Sequence, residues 1–369
     1  MVKTFYLDDI ENKEYHTKLW TNRSCLQKIE TKNCKKPIHI FLIRVPHNND
    51  KIFDVIESRL VGKNYRIVLW NLDHSDSDTY YDTRILSLHK RGEDILKVTP
   101  DVNIKNNYPF EVLNTYSMAD SVLEQQQIDR KLIMRLFEKS IYYGRMKHFL
   151  CLNGGVPKTH RVCFVNKLYE NNLLDMGPQP HKFNISFLSW YSDENKRFTL
   201  QDINDDIRSE YDKIKLPEEM YPMHLDLGRH ARGLHTSLLN IPLYFSSYID
   251  VVTMAKFEQN GVYLDEKIYK SFACLMPFVI VGQFETLKVL KDYGFKTFSP
   301  IINEDYDNEK DNEKRMDLVI EEIKRLNNMT HSEIDNMFWE FKGILIHNFK
   351  HLKNFINETD DYLIKEICE

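Results

Sequence analysis

The sequence predicts an α/β protein with two Rossmann-like domains, and three stretches support this fold class. Residues 38–70 contain two apolar strands joined by a helix, with connection lengths typical of a βαβ unit. Residues 147–174 repeat the order of strand, glycine-containing turn and helix. Residues 263–294 contain a short amphipathic helix, the all-apolar strand 278–281 and a second helix that ends at Gly294. Apolar strands that alternate with helices are typical of a parallel sheet covered on both faces.

The length of 369 residues is enough for two domains of ordinary size. We expect an N-terminal domain over residues 1–144 and a C-terminal domain over residues 145–330, facing each other across a cleft. The closing segment, 331–369, is expected to hold a helix that crosses back to the first domain. The spacing of apolar residues predicts one long helix over 119–143 and another over 331–355.

Charge and composition limit the classes of function. The chain carries 50 Lys and Arg against 55 Asp and Glu, so its formal net charge is −5. The protein therefore has no overall positive charge that would attract nucleic acid or an anionic membrane, although the net charge does not exclude a local basic groove. The first thirty residues lack the apolar segment of a signal peptide, and no apolar run approaches the length of a membrane span. We therefore expect a cytoplasmic protein.

Cysteine and histidine usage indicates neither a zinc site nor a disulfide framework. The six cysteines form no CxxC pair and no Cys/His cluster with zinc-ligand spacing, and several lie in apolar runs, so we expect them to be reduced and buried. His224, His230 and His235 lie near Asp226, but their spacing matches no metal motif. The acidic run 303–313 is expected to be a solvated loop. The sequence therefore predicts no metal site.

A basic turn follows the first strand of the predicted C-terminal domain. It runs from Asn153 to Arg161 and includes two glycines and Lys158. Backbone N–H groups and cationic side chains at a strand–turn–helix junction suit a phosphate group. The alternative is that Arg161 is a solvated residue at the start of a helix, as surface arginines commonly are.

A second candidate site for an anion lies at the start of the helix in residues 263–294. Asp265, Glu266 and Lys267 open this helix, where an α/β protein usually holds an anionic ligand. Helix capping is the alternative, because acidic residues in a first turn complement the helix dipole.

Three segments of the C-terminal half resemble the donor-site region of GT-B glycosyltransferases. They are Phe257-Glu258, the run Tyr263-Leu-Asp-Glu-Lys-Ile268 and the run Pro277-Phe-Val-Ile-Val-Gly282. The pattern is similar to a fucosyltransferase-like Phe-Glu-Asn, Thr-Glu-Lys-Leu and Pro-Val sequence, from which Asp-Glu-Lys-Ile is a mild departure. Over residues 147–327 the chain resembles a family of uncharacterised glycosyltransferases of phages and large DNA viruses.

The resemblance implies a GT-B fold and transfer of a sugar from a UDP- or GDP-sugar without a metal ion. GT-B enzymes compensate the charge of the leaving diphosphate with helix N-termini and basic side chains. Lys267 and Arg161 are therefore expected to contact the diphosphate, with Lys158 as a further cation. Glu266 is expected to accept a hydrogen bond from a ribose or sugar hydroxyl. The expected donor-binding set is completed by Asn153 and Glu258.

An inverting transfer also requires a base for the acceptor hydroxyl. In the GT-B arrangement the N-terminal domain supplies this base, from loops at the carboxyl ends of its strands. Asp73 follows an apolar strand most directly and ranks first, His47 is next, and His74 is the third candidate. The alternative is that these three residues only form turns, because Asn, Asp, His and Ser are common turn residues. A retaining transfer needs no such base.

The resemblance leaves the acceptor open between a glycan and a hydroxylated base in phage or viral DNA. The net charge of −5 disfavours DNA, whereas the basic segments 147–161 and 229–232 favour a local groove. A membrane partner is not expected, and a viral protein of this kind would act in the host cell cytoplasm. The rival hypothesis is a non-catalytic nucleotide-binding or scaffold protein with the same fold.

Overall fold

The protein is described here by a computed structural model, in which the chain forms two compact units. The residues that the structure describes are 2–5, 23–43, 50–71, 79–99, 101–102, 108–109, 111–115, 119, 122, 129–153, 158–174, 182–187, 209–210, 212–220, 239–258 and 261–369. The first unit comprises residues 1–127, 259–266 and 352–369, and the second comprises residues 128–258 and 267–351. The end of the chain thus belongs to the first unit.

The first unit is built on a five-stranded parallel sheet. Its strands, in spatial order, are β1 (Val2–Phe5), β2 (Ile38–Ile43), β3 (Arg66–Asn71), β4 (Asp94–Thr99) and β6 (Glu111–Asn114). The helices that precede β2, β3 and β4 are α1 (Arg23–Thr31), α2 (Asp50–Arg59) and α3 (Thr79–Lys90). A separate antiparallel pair joins β5 (Asp101–Val102) to β10 (Val262–Tyr263). The βαβ unit predicted for residues 38–70 is confirmed.

Both faces of this sheet are buried, which explains why its strands are nearly continuous apolar runs. On one face Phe41 and Leu69 pack with apolar residues of α2 and α3. On the other face Ile40 and Trp70 pack with α1 and with apolar residues near the end of the chain, including Leu363. Successive residues of a strand point to opposite faces, so β2, β3, β4 and β6 each contribute to both clusters.

The second unit contains a four-stranded parallel sheet. Its strands, in spatial order, are β11 (Phe278–Val281), β9 (Ser247–Thr253), β7 (Lys147–Asn153) and β8 (Phe183–Phe187). The chain moves from β7 to β8 on one side and then returns to form β9 on the other side of β7. This reversal makes the gap between the ends of β7 and β9 a topological switch point, where open α/β sheets bind their ligands.

The remaining described helices belong mainly to the second unit. They are α4 (Arg130–Tyr143), α5 (Thr159–Glu170), α6 (Ile241–Ser246), α7 (Glu266–Ala273), α8 (Thr286–Asp292), α9 (Asn312–Asn327), α10 (His331–Glu340) and α11 (Lys342–Cys368). The first residue of α7 and residues 352–368 of α11 belong to the first unit, and α6 was not predicted from the sequence. Helix α4 starts at Arg130 because the Asp129 carboxylate accepts the N–H groups of Lys131 and Leu132 and caps it. Gly294 follows α8 with φ +83°, as predicted for a residue just beyond a helix end.

Two helix predictions are corrected. The single helix expected over 331–355 is divided at Phe341, which caps α10, and α11 then continues to Cys368. The one-residue interruption leaves the apolar spacing almost unchanged, so periodicity alone does not reveal it. Helix α5 begins at Thr159, which places Arg161 in the first turn of the helix instead of in the preceding turn. In the described part of the chain, no helix is long and apolar enough to cross a membrane.

The acidic run 303–313 is not simply a solvated loop, and that prediction was wrong. Glu304 and Asp307 are buried. Glu304 accepts hydrogen bonds from the Thr297 hydroxyl and from the N–H groups of Phe298 and Ser299. Asp307 accepts the N–H groups at the start of α8. The two carboxylates therefore supply hydrogen-bond acceptors to backbone N–H groups that would otherwise lack them.

The expectation that all cysteines are reduced is also corrected. Cys34 and Cys368 form a disulfide whose Cα atoms are 4.4 Å apart, although 334 positions separate them in sequence. Sequence spacing carries no information about such a contact. Cys25, Cys151 and Cys274 are free and buried, as expected.

Candidate functional site

The candidate site lies at the topological switch point of the second unit, where β7 and β9 end side by side. β7 ends at Asn153 and β9 ends at Thr253. The Thr253 hydroxyl donates a hydrogen bond to Asn153 Oδ1 over 3.1 Å. Both side chains are polar, lie at the carboxyl ends of their strands and are buried. The two strand ends therefore place buried polar groups side by side at the switch point.

Asn153 has an amide group whose donors are not used within the described residues. The residue is only 1% exposed, and its Nδ2 atom has no hydrogen-bond partner there. A buried donor without a partner costs about 1–3 kcal/mol. A ligand oxygen that accepts from Nδ2 would remove this cost, so the site favours a ligand with exposed oxygen atoms.

The first turn of α5 brings two cationic side chains to the same strand end. Lys158 Nζ donates to the carbonyl oxygen of Ala255 over 2.8 Å. Arg161, which is buried, places its Nη2 atom 3.3 Å from the Thr253 carbonyl oxygen and 3.5 Å from that of Met254. These contacts fix both cations beside the end of β9. The interpretation of Arg161 as a solvated surface residue is therefore wrong.

His160 lies between these cations along the chain and is held in its neutral form. Its Nε2 atom is 3.0 Å from the Met254 carbonyl oxygen, and its ring stacks on Phe257 with centroids 5.5 Å apart. The pKa of His160 is lowered to about 3, first by burial and then by the positive charges of Arg161, Lys158 and Lys267, against the opposing effect of the Met254 carbonyl. Three lysine and arginine side chains therefore oppose protonation of this imidazole, and a local excess of positive charge of this kind suits an anion.

Lys267 belongs to this group through helix α7, which is anchored to β9. The Ser271 hydroxyl donates to the buried Asp250 carboxylate of β9 over 2.6 Å. The same hydroxyl lies 3.3 Å from the Lys267 carbonyl oxygen, one turn earlier in the helix. This pairing ties the first turn of α7 to the strand that carries Thr253. Lys267 itself is partly exposed.

The structure brings together four of the donor-site residues predicted from the sequence: Asn153, Lys158, Arg161 and Lys267. Glu258 is exposed, next to Phe257 in the segment that follows β9. Glu266 is the buried first residue of α7, but the division between the two units falls after it, so it is not counted in this group. The candidate bases lie outside the described residues: Asp73, His47 and His74.

Sequence reasoning missed three residues that shape the site. Thr253 was visible as the polar end of an apolar strand, and His160 lay inside the basic turn. Arg315 gave no local signal, because its contacts are with Phe257 and Gly282, which are distant in sequence.

Metal ligands do not gather in the described part of the chain. No group of three or more His, Cys, Asp or Glu side chains is arranged there to hold a metal ion. The positive charge of the site comes from lysine and arginine instead.

Comparisons with known proteins add little to this geometry. No protein-family model matches the chain. No curated protein matches it either. Among solved structures, the chain is similar to trehalose-6-phosphate from E. coli bound with UDP-2-fluoro glucose, with 14% identity and a TM-score of 0.41, over 96% of this chain and 84% of that chain. An identity and a TM-score this low carry no conclusion about function.

Proposed function

We propose that the protein is a glycosyltransferase that moves a sugar from a UDP- or GDP-sugar to a hydroxyl acceptor. The observation that carries the proposal is the buried Asn153 Nδ2 group, which has no hydrogen-bond partner among the described residues, beside three cations at a topological switch point. A nucleoside diphosphate offers both features that this arrangement suits, oxygen acceptors and negative charge. The sequence resemblance to GT-B glycosyltransferases points to the same class of ligand.

The cations would act on the leaving group. When the bond between the anomeric carbon and the diphosphate oxygen breaks, negative charge gathers on the diphosphate. Arg161 and Lys267, with Lys158 as a further cation, would stabilise that charge, and fixed cations do so without reorganising during the reaction. The diphosphate then needs no metal ion as a counter-charge, which is why we propose a metal-independent transfer.

The remaining predicted residues receive roles that follow from their chemistry. Glu266 and Glu258 would accept hydrogen bonds from ribose or sugar hydroxyls, because carboxylates are acceptors only. For an inverting transfer, Asp73, His47 or His74 would take the proton of the acceptor hydroxyl. For a retaining transfer none of them is required.

The neutral state of His160 supports a role in holding the site rather than in moving protons. With its pKa lowered to about 3, the imidazole stays unprotonated over the pH range in which most enzymes act. Its N–H then donates to the Met254 carbonyl, and the ring supports Phe257. The positive charge for the diphosphate is left to the lysine and arginine side chains.

The test is a panel of UDP-, GDP- and ADP-sugars, with thermal shift and release of nucleoside diphosphate as the two measurements. We expect one nucleotide class to raise the melting temperature and its sugar conjugate to be hydrolysed or transferred. A thermal shift with no turnover on any acceptor would favour the rival hypothesis, a non-catalytic nucleotide-binding protein. No shift with any nucleotide would contradict both.

A second assay separates the two acceptor classes. The candidates are a glycan and a duplex that contains hydroxylated bases. If the acceptor is DNA, binding of the duplex must weaken steeply as salt rises, because phosphate contacts release counterions. Transfer to a glycan that is insensitive to salt would assign the other class.

A further inference from the structure

Arg315, on helix α9, is a buried arginine whose hydrogen-bonding capacity is fully used. It is 2% exposed. Nε donates to the Gly282 carbonyl over 3.0 Å, and Nη1 donates to the carbonyls of Glu309 and Lys310. Nη2 donates to the Phe257 carbonyl over 2.7 Å and to the Asn312 side chain. A guanidinium group has five N–H donors in a fixed plane, and each has a partner here.

These partners belong to segments that follow neighbouring strands. Gly282 directly follows β11, and Phe257 lies a few residues beyond β9. The two segments approach each other closely, since a Cβ atom on Gly282 would lie 2.9 Å from Met254 Cγ. Met254 also donates its N–H to the Val281 carbonyl over 2.9 Å. Arg315 therefore fastens the carboxyl ends of β9 and β11 from outside the sheet.

Phe257 links this arginine to the cationic group at the switch point. The Arg315 guanidinium lies 4.4 Å from the centroid of the Phe257 ring. The same ring stacks on His160, with an interplanar angle of 8°. His160 and Arg161 both contact the Met254 carbonyl. A continuous series of contacts thus runs from Arg315 through Phe257 and His160 to Arg161.

We propose that Arg315 is a positioning residue for the donor site, which fixes the Phe257–Glu258 segment and, through it, the first turn of α5. This inference rests on the proposed function, because the ligand whose binding it serves is the nucleotide sugar. Arg315 does not touch the ligand. It acts by holding His160 and Arg161 in the arrangement that receives the diphosphate, and Glu258 in the arrangement that receives a hydroxyl.

Lysine cannot take over this role. An ammonium group carries its donors on one atom, whereas the partners of Arg315 lie around a planar fork on three separate segments. Arg315→Lys keeps the positive charge and the aliphatic stem, and loses the bridge between Gly282 and Phe257. A loss of nucleotide affinity in this variant would therefore be due to lost positioning and not to lost charge.

The experiment compares Arg315→Lys with Arg325→Lys in the full-length chain. Arg325 lies on the same helix and donates to Glu322 and to the Ile301 carbonyl, so it is a matched control. Amide hydrogen exchange of peptides covering residues 253–258 reports on the position of the segment. Titration calorimetry with UDP and GDP reports on the donor site.

We expect Arg315→Lys to speed exchange in residues 253–258 and to weaken nucleotide binding about tenfold or more, because a displaced Arg161 would lose one charge-assisted hydrogen bond to the diphosphate. Arg325→Lys is expected to change neither. A folded Arg315→Lys protein with unchanged exchange or unchanged affinity would overturn the inference alone. If the wild-type protein binds neither nucleotide, both the proposed function and the inference fail. This outcome differs from the previous one, in which the wild type binds a nucleotide and only the inference fails.

A second variant keeps the test decisive if Arg315→Lys does not fold. Phe257→Leu retains the backbone carbonyl that Arg315 binds, but removes the ring between the guanidinium and His160. Faster exchange in residues 253–258 with weaker nucleotide binding supports the inference. An unchanged affinity in this variant overturns it.

Discussion

The Thr253 hydroxyl donates to Asn153 Oδ1 over 3.1 Å, and this contact sets the orientation of a buried amide at the end of β7. With Oδ1 committed to Thr253, Nδ2 faces away from it and has no partner among the described residues. Folding normally pairs such a donor, and an unpaired one in a crevice is typical of a functional site. The pair Asn153–Thr253 therefore marks where a ligand is expected.

Asn153→Ala should weaken nucleotide binding about tenfold, because one hydrogen bond to a charged acceptor is lost. The matched control is Asn184→Ala in the same sheet, where Nδ2 already donates to the hydroxyls of Ser246 and Ser247. We expect the control to lower the melting temperature and to leave affinity unchanged. Calorimetry with UDP and GDP measures the difference. Equal affinities for both variants would remove Asn153 from the donor site.

The low pKa of His160 predicts that the folded protein loses stability as the solution becomes acidic. Its pKa is lowered to about 3 in the folded protein, mainly by burial, from an ordinary value of 6.5. Below that ordinary value the unfolded chain binds a proton that the folded protein refuses, so the free energy of unfolding falls as pH drops from about 6.5 towards 3. His160→Gln should lose less stability on acidification than the wild type. Urea unfolding at pH 7 and pH 4.5 tests this, and equal losses would contradict it.

Asp307 is predicted to contribute a free energy of unfolding that decreases as pH rises, over a pH range that overlaps that of His160. Burial raises its pKa from 3.8 to about 6, against the lowering effect of the N–H groups of Leu287 and Lys288. The folded state therefore binds the proton more tightly than the unfolded chain. The resulting stability is fully present below pH 3.8 and is lost as pH rises through about 6.

Replacement of Asp307 isolates this contribution. The stability of the wild type relative to Asp307→Asn should be largest near pH 4 and shrink by on the order of 2 kcal/mol by pH 7. Urea unfolding of both proteins at several pH values gives the difference directly. A difference that stays constant with pH would show that the Asp307 carboxyl does not titrate as described.

Much of the fold could be predicted because its signals are local. The apolar strand 278–281, the helix that follows it and Gly294 all lie where the pattern predicts them. The strand pair that defines the site could not be predicted, because parallel neighbours such as β7 and β9 are about a hundred residues apart. The start of α5 was also misplaced, because the helix begins at Thr159, before the apolar residues that mark it in the sequence.

The candidate site was predictable only in part, for a related reason. Arg161 and Lys267 stand in recognisable motifs at helix starts. The burial of Glu304 and Asp307 could not be foreseen, because an acidic run looks the same whether its carboxylates face water or cap backbone N–H groups. Arg315 was hidden because an arginine on an amphipathic helix is usually exposed.

The proposed metal-independent transfer gives a further prediction. Lys158, Arg161 and Lys267 already supply positive charge at the proposed diphosphate site. We therefore expect nucleotide affinity to be the same, within about twofold, in EDTA and in Mg²⁺. Calorimetry in the two buffers measures it. Nucleotide binding that disappears in EDTA and returns with Mg²⁺ would show that a metal ion neutralises the charge of the diphosphate instead.

The most direct test of the donor site is calorimetric titration of UDP and GDP into the wild type, Arg161→Ala and Lys167→Ala. Lys167 is a matched control, since it lies on the same helix and pairs with Asp317. We predict that at least one nucleotide binds the wild type and Lys167→Ala alike, and binds Arg161→Ala at least about tenfold more weakly. The absence of binding to the wild type, or equal affinity in all three proteins, would contradict the assignment of this switch point as a nucleotide-sugar site.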